Sequence, residues 1–181
     1  MLVIKGIRFH GLTIPDCQKV LPPAPGGKEM TAESMLWLLL TGRVPSPNES
    51  YQLSAELAEK GELPAFVEKL IDSCASLTLC ASANLEPSIH RLPNTLHPMT
   101  QLGMGVAALN HDSQFQAAYE RGIKKSEYWT YTLEDCLDLV AKLPALAARI
   151  YRNVYHPNKT IAPVDKNLDL VGKSDPLVTF K

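Results

Sequence analysis

The feature of this sequence that most constrains its fold is a repeated set of helix start and stop signals. Thr31 stands before the apolar segment "AESMLWLLLT", and Gly42 follows that segment. Ser46 and Pro47 begin the next segment, and Gly61 follows it. Serine and threonine side chains bind free amides at a helix start, proline suits the first helical position, and glycine favours the conformation that ends a helix. The sequence therefore predicts two successive helices here.

Two later segments have apolar residues at helical spacing. The first segment is "PAFVEKLIDS". The second is a longer helix that begins at Pro98, with His97 in the N-cap position. Small residues in the longer helix would let a neighbouring helix approach closely, and that packing must offset about 1 kcal/mol per glycine. The predicted buried positions are Phe66, Val67, Leu70 and Ile71 in the first helix and Met99, Leu102, Gly103, Val106 and Leu109 in the second. The small residues are Gly103, Gly105, Ala107 and Ala108.

The remaining helical segments occupy the stretch up to residue 155. One is predicted between Asp112 as its cap and Gly122 as its stop. The longest follows, and Pro144 within it predicts a kink or a break, because proline removes a backbone donor and crowds the preceding turn. The predicted apolar face of the longest helix consists of Leu133, Cys136, Leu137, Val140, Pro144, Ala147, Ile150, Tyr151 and Val154.

Two stretches depart from the helical pattern. Near the start, Ile7 and Phe9 alternate with polar residues up to Gly11, which predicts a short β-strand or hairpin. Residues 74–91 lose the helical period and predict a surface insertion or loop. We therefore predict an all-α, multihelical domain with one short N-terminal β element.

Composition excludes several classes of protein. The 181 residues are 45% hydrophobic and 20% charged, with a formal net charge of -1, so no basic field is present to attract nucleic acid. The longest apolar run, residues 35–40, is far shorter than the ~20 residues that span a bilayer. The first residues resemble neither a secretory signal nor a transit peptide. We expect no nucleic-acid or membrane partner and, on these grounds alone, a cytoplasmic protein.

Cysteine and histidine spacing gives little support to a metal site. Cys74, Cys80 and His90 are the only grouping to consider, but a C-x5-C spacing is not that of a zinc site. His97 reads as a helix cap rather than a catalytic base, since a base would need a buried partner to tune its pKa. We predict no metal site and name no catalytic residue.

Two groups of charged residues lie near the longest helix, and each group has a structural and a functional interpretation. Glu134, Asp135 and Asp138 are better explained by the helix macrodipole than as a general acid–base pair. Lys124 and Lys125 precede two aromatic residues in a turn. This turn is either solvated or contacts a phosphate group.

Longer blocks of sequence carry a family resemblance. They resemble, in order, consecutive blocks of the citrate synthase family, closest to its mitochondrial-type eukaryotic branch, and they cover most of residues 6–73 and 92–169. The resemblance places residues 1–181 in an amino-terminal portion of the family's large domain. The blocks are "GIRFHGLTIPDCQKVLP", "WLLLTGRVPS", "LPNTLHPMTQL", "AALNHDSQFQAAYERGIKKSEYW", "LEDCLDLVAKLPALAARIYRNVY" and "DKNLD".

The resemblance implies a fold, an activity and a partner. It implies a multihelical homodimer in the mitochondrial matrix that condenses acetyl-CoA with oxaloacetate to citrate in the tricarboxylic acid cycle, with acetyl-CoA as substrate and no bound cofactor. Helices that include residues 98–110 would pair with a second copy or with a full-length subunit. Lys125 falls where the family places an arginine near the CoA phosphates, and lysine keeps the charge but loses the planar fork.

The departures from the family pattern limit the functional prediction. The family's catalytic aspartate and two histidines lie in its later part and have no counterpart here, so we expect this chain to be inactive by itself. Residues 1–5, 74–91 and 170–181 are atypical for the family. Two alternatives remain, a fragment of a 2-methylcitrate synthase, which uses propionyl-CoA, and a non-catalytic helical dimerisation or interaction protein.

Overall fold

The computed structural model describes residues 6–24, 27–74 and 96–156. Within these three ranges the chain is mostly helical and no β-strand is assigned, which confirms the predicted helical class. The helices are α1 (Ile14–Val20), α2 (Ala32–Thr41), α3 (Pro47–Lys60), α4 (Ala65–Asp72), α5 (Pro98–Leu109), α6 (Gln114–Glu120) and α7 (Tyr128–Tyr155), with short 3-10 turns at Asn110–Asp112 and Lys125–Glu127.

The short N-terminal strand or hairpin is not shown in the described residues. Phe9 and Leu12 form an isolated bridge with hydrogen bonds of 2.8 and 3.0 Å, and His10 and Gly11 make the turn between them with positive φ angles. Thr13 immediately caps α1, so the backbone enters a helix where a second strand would have to continue. The predicted insertion 74–91, apart from Cys74, and the tail 170–181 lie outside the described residues.

Local capping chemistry explains where α2 and α3 begin. The Thr31 hydroxyl accepts a hydrogen bond from the Ser34 amide at 3.1 Å. At the start of α3, the Ser46 hydroxyl accepts from the Glu49 amide at 3.3 Å while the Glu49 carboxylate accepts from the Ser46 amide at 2.8 Å. This reciprocal capping box satisfies two amides that the helix itself leaves free. Both predicted helix starts are confirmed.

Two glycines end helices for different physical reasons. Gly42 follows α2 with φ 74°, the left-handed conformation that favours glycine. Gly61 follows α3 with an ordinary φ of -75°. A Cβ at Gly61 would lie 3.2 Å from the Ala141 carbonyl oxygen of α7. The second glycine therefore permits a close approach of two backbones rather than an unusual turn.

Helix α7 is the axis of the described structure. Helices α3, α4, α5 and α6 all pack along it. The largest buried cluster joins α4 and α7 and consists of Leu63, Val67, Ile71, Leu146 and Ile150, and a second cluster of Leu53, Leu57 and Ala141 joins α3 and α7. A third cluster, Cys17, Leu21 and Leu38, joins α1 and α2.

The long helix runs through Pro144 without a break. Contacts with four other helices flank the proline and hold the 28-residue helix together, which offsets the missing backbone hydrogen bond. Of the apolar face predicted for α7, Ile150 is buried, whereas Tyr151 and Val154 are 38% and 39% exposed. The predicted face of α7 is therefore not the face that packs against the other helices. Periodicity alone does not say which side of a helix its neighbours contact.

The other predicted stripes are confirmed only in part. In α4, Val67 and Ile71 are fully buried, whereas Phe66 is 42% exposed. In α5, the buried positions are Gln101 and Gly105, and Met99 is 65% exposed. The cap of α6 is Ser113 rather than Asp112, because Asp112 belongs to the preceding 3-10 turn.

In residues 6–24, 27–74 and 96–156, none of the helices combines the length and the apolar character that crossing a membrane requires.

Candidate functional site

The basic turn, residues 121–125, is the part of the described structure that most resembles a ligand-binding element. Helix α6 ends at Glu120, and Gly122 then turns the chain with φ 75°. Lys124 is extended, and Lys125 begins the 3-10 turn that leads into α7. Both lysines are exposed, and no ion pair joins either of them to another described residue. Two ammonium groups are thus presented to solvent at one point of the fold.

Helix α6 is bound to α7 at its first turn by Asp135. One carboxylate oxygen accepts from the Gln114 amide at 2.8 Å, and the other accepts from the Phe115 amide at 3.1 Å and the Ser113 hydroxyl at 2.6 Å. Ser113 in turn accepts from the Gln116 amide at 3.0 Å. Three free amides of the first turn are therefore satisfied, two of them by a residue from another helix.

Aromatic rings also join α6 to the start of α7. Phe115 meets Tyr128 edge-on with ring centroids 5.3 Å apart, and Tyr119 lies 6.1 Å from Tyr128. Trp129, the next residue of α7, is 67% exposed. The basic turn therefore connects two helices that are joined at both ends, with an exposed indole beside it.

The acidic residues of α7 have structural partners rather than the role predicted for them. Helix α7 begins at Tyr128, so its first turn contains no acidic residue and the macrodipole explanation is wrong. Glu134 accepts from the Lys60 ammonium at 2.8 Å, and the same ammonium lies 3.3 Å from Asp138, off the angle of a hydrogen bond. The hydrogen bond to Glu134 raises the pKa of Lys60 above its usual range, so the Lys60 ammonium keeps its charge at neutral pH.

A second charged network joins α4 to the end of α7. The Arg149 guanidinium donates to Asp72 at 3.0 and 2.7 Å and to Glu68 at 2.6 Å, and Arg152 donates to Asp72 at 2.8 Å. Asn153 adds hydrogen bonds to Asp72 and to the Ile71 carbonyl. Burial works to raise the pKa of Asp72, but the hydrogen bonds from Arg149 and Asn153 outweigh it and hold that pKa below its usual value.

Sequence reasoning missed both charged networks. Glu68 and Asp72 are four residues apart on α4, and Arg149, Arg152 and Asn153 share one side of α7. This complementary spacing is a signal that could have suggested the pairing. No comparable signal links Asp135 to Ser113, which are 22 residues apart and meet only through tertiary packing.

The histidines occupy separate places in the described ranges. His97 caps α5, with its Nδ1 accepting from the Met99 amide at 3.2 Å, which confirms the predicted cap. His111 contacts its exposed neighbour Asp112 at 2.8 Å, and His10 contacts the Leu39 carbonyl at the end of α2. His90 lies outside the described residues.

A metal site is not formed by the described residues. No group of three histidine, cysteine, aspartate or glutamate side chains with metal-binding geometry occurs among them. Cys74 is a buried free thiol, and burial raises its pKa. Cys80 and His90, the other members of the grouping that the sequence suggested, lie outside the described ranges.

A cavity of about 200 Å³ opens between the end of α5, the turn of residues 110–113 and α7. Leu109 and Leu139 give it apolar walls, and Asp135, Asp138 and Lys142 give it charged ones. Asp135 and Asp138 already have the partners described above. Lys142 lies 4.0 Å from Asp138, so the charged residues of the cavity pair with one another or with neighbouring helices.

The geometry defines a class before it defines a family: an α-helical protein whose helices surround one long helix and are joined to it by ion pairs and small residues. Comparison with known proteins then specifies the family. The sequence pattern described as "Citrate synthase, C-terminal domain" matches residues 3–174. The chain belongs to the citrate synthase family.

Relatives with curated names include enzymes of two specificities. Citrate synthase, mitochondrial, of Emericella nidulans is 52% identical over 165 residues, which are 91% of this chain and 31% of the relative. 2-Methylcitrate synthase, mitochondrial, of Yarrowia lipolytica is 48% identical over 176 residues, which are 97% of this chain and 34% of the relative. The chain therefore spans about a third of the length of these relatives.

A solved structure supports the fold. The crystal structure of citrate synthase from Pyrobaculum aerophilum aligns with a TM-score of 0.64, covering 93% of this chain and 37% of that one. Its sequence identity to this chain is 21%, so the likeness concerns the fold alone.

Proposed function

We propose that this chain supplies part of the helical scaffold of an enzyme that condenses acetyl-CoA with oxaloacetate to citrate. The observation that carries the proposal is the family match over residues 3–174, together with 52% identity to a relative named as a citrate synthase. In this proposal acetyl-CoA enters as a substrate, and the chain forms an amino-terminal portion of the large domain. The names of the relatives support a mitochondrial location.

The same proposal holds that these 181 residues are inactive by themselves. Removing a proton beside a thioester needs a placed base and a donor for the developing enolate, and each contributes roughly a hundredfold or more. In the described ranges, carboxylates of α4 and α7 accept hydrogen bonds from Lys60, from Arg149 or from the first turn of α6. None of these contacts places a carboxylate as a base for a bound thioester. Release of CoA from acetyl-CoA and oxaloacetate should therefore equal the rate without protein.

The assay can be made decisive with an intact enzyme as reference. Purified chain and full-length citrate synthase are compared at equal concentration in the same CoA-release assay, beside a thermal melt of each. A cooperative melt with no CoA release is the expected result for the chain. Citrate formation by the chain alone would refute its inactivity.

Two acyl groups are candidates for the substrate, because the relatives include enzymes of two specificities. A 2-methylcitrate synthase at 48% identity stands close to the citrate synthase at 52%, so the alternative uses propionyl-CoA in place of acetyl-CoA. Any longer protein that contains this sequence should be assayed with both thioesters. A higher kcat/KM for propionyl-CoA would favour the alternative.

We further propose that α5 pairs with a second copy of the chain or with a full-length subunit. Within α5, Gly105 faces inward, because a Cβ there would lie 2.7 Å from Leu146. Gly103 faces outward, with nothing within 4 Å of its added Cβ, and Ala107 and Met99 are exposed on the same helix. Small outward residues let a second helix approach closely.

Pairing is tested by substituting one small residue on each of two helices. Ala107→Leu places bulk on the outward face of α5, and the matched control Ala117→Leu places the same bulk on exposed α6. Sedimentation should show a dimer for the parent and the control and weaker association for Ala107→Leu. A non-catalytic interaction protein would also pair with full-length subunits, and co-elution with intact citrate synthase tests that alternative.

Lys125 is proposed to contact the phosphate groups of CoA. Its support is the exposure of the side chain and of its neighbour Lys124 in the basic turn. Lys125→Gln should weaken CoA binding roughly threefold to tenfold, as for the loss of one charge-assisted contact. Lys69→Gln, an exposed lysine on α4, is the matched control, and an equal effect of both substitutions would reject the specific contact.

A further inference from the structure

We propose that Asp135 is a positioning residue for the basic turn, residues 121–125. Asp135 touches neither lysine of the turn, but it fixes the helix that carries the turn. The inference rests on the proposed contact between Lys125 and CoA phosphates and adds a second residue, on another helix, to that site.

Helix α6, the basic turn and the first part of α7 form a helical hairpin, with the turn at its closed end and Asp135 across its open end. Helix α6 has seven residues and is about 10 Å long, and Asp135 lies seven residues after Tyr128, also about 10 Å along α7. The two arms therefore match in length.

Hydrogen bonds to Asp135 hold the open end of the hairpin together. Asp135 accepts three hydrogen bonds, two of them from first-turn amides of α6 and one from the Ser113 hydroxyl. A carboxylate that accepts from amides makes stronger hydrogen bonds than a neutral acceptor does. Because a seven-residue helix is unstable in isolation, the orientation of α6 depends on such contacts.

At the closed end, aromatic rings rather than hydrogen bonds join α6 to α7. Tyr119, near the end of α6, lies with its ring centroid 6.1 Å from that of Tyr128, and Phe115, in the first turn of α6, lies 5.3 Å from the same ring. Such ring contacts are less directional than hydrogen bonds to a carboxylate. The hydrogen bonds of Asp135 set the register of α6 along α7. Losing them frees α6 to move along α7, and the start of the basic turn moves with it, because the Ile123 amide donates to the Ala118 carbonyl of α6 at 3.5 Å. Lys124 then loses its fixed separation from Lys125, which stays in the 3-10 turn that leads into α7.

The position of the lysines affects binding of a polyanion more than it affects folding. A phosphate group gains most from ammonium groups that are already in place, because ordering flexible side chains and loops costs free energy on binding. We take the 3′-phosphate of CoA as the group that the basic turn contacts, so loss of the Asp135 contact should reduce the preference for CoA over 3′-dephospho-CoA, which lacks that group. A purely structural role would lower thermal stability and leave that preference unchanged.

The experiment is a double-mutant cycle in the 181-residue chain. Asp135→Asn, Lys125→Gln and the double variant are compared by calorimetry with CoA and with 3′-dephospho-CoA, and thermal midpoints are measured for each. Each single substitution should reduce the preference for CoA about fivefold, and the double variant should fall no further than the larger single effect. Asp138→Asn, which removes an acid bound to Lys60 three residues along α7, is the matched control and should preserve the preference.

Three outcomes overturn the inference. Asp135→Asn could lower the thermal midpoint without changing the preference, the two substitutions could act additively, or Asp138→Asn could have the same effect as Asp135→Asn. If Lys125→Gln leaves CoA binding unchanged, the proposed Lys125 contact fails, and the positioning role for it fails too. If Lys125→Gln acts and Asp135→Asn does not, only the positioning role is rejected.

Discussion

The two ends of α7 are stabilised by different kinds of contact. Near its C-terminus, Arg149 and Asp72 pair beside the apolar cluster that includes Ile150, so charge and core packing act together. Near its N-terminus, Asp135 binds the backbone of a seven-residue helix, and the neighbouring rings are partly exposed. The first end is stabilised by burial and the second by capping. Rigid scaffold and candidate ligand contact therefore lie at different ends of one helix.

The largest effect on this comparison should come from Gly105→Val. A Cβ at Gly105 meets Leu146 at 2.7 and 2.9 Å, so α5 must move away from α7 or the leucine must leave its rotamer. We expect a loss of about 2–4 kcal/mol in the free energy of unfolding, measured by urea denaturation. Gly103→Ala is the matched control, and it should be neutral or stabilising because its Cβ meets nothing within 4 Å. Equal destabilisation by both would contradict the close approach.

Arg149→Met should weaken the C-terminal end by less. It keeps the length of the side chain but removes the donors to Asp72 and Glu68. The Asp72 side chain is 40% exposed, so solvent screening reduces the cost to about 1–2 kcal/mol. Arg152→Met is the comparison variant, because Arg152 makes one of the hydrogen bonds to Asp72 and Arg149 makes two. A larger effect of Arg152→Met would show that the network is centred elsewhere.

The same network predicts how stability depends on pH. The folded pKa of Asp72 lies below its ordinary value of 3.8. A lowered folded pKa means that the contribution is present above pH 3.8 and is lost as the pH falls through the folded pKa. Urea titrations from neutral to acidic pH should therefore show a smaller acid-induced loss for Asp72→Asn than for the parent. An equal acid-induced loss of stability in the variant and the parent would show that other carboxylates cause the acid sensitivity.

Asp135→Ala should reduce local order near the N-terminal end of α7 more than it lowers global stability. Without the carboxylate, the Gln114 and Phe115 amides lose their acceptors, and we expect a global loss of about 1 kcal/mol. Hydrogen exchange should accelerate in α6 while the amides of α4 keep their protection. Uniform acceleration in both helices would mean that the two ends of α7 are not separate units.

Lys60→Met should have the smallest effect of the series. The Lys60 side chain is 26% exposed, and its bridges to Glu134 and Asp138 are partly screened, so we expect about 0.5–1 kcal/mol. Because its folded pKa is raised, the contribution is complete below its ordinary pKa of 10.5 and is lost only as the pH rises through the folded pKa. The difference between variant and parent should stay constant from roughly pH 6 to 9. A change within that range would implicate a different group.

Some features of the site were predictable and others were not. The exposure of Lys125 in a turn before a helix and the N-cap role of His97 followed from neighbouring residues. The partners of Asp135 did not, since its acceptor role appears only when α6 folds back along α7. The macrodipole explanation of that residue failed because the helix begins at Tyr128, seven residues earlier. The resemblance to citrate synthases was confirmed by the family match.

By itself, the sequence determined the family, the helical class and most helix boundaries, including the starts at Thr31 and Ser46. These boundaries depend on hydrogen bonds between residues three apart, which any conformation of the rest of the chain leaves intact. Only the tertiary structure decided that Gly105 faces inward and Gly103 outward, and that α7 continues through Pro144. Those outcomes depend on which distant helices pack against each face, and periodicity along one helix contains no information about its neighbours.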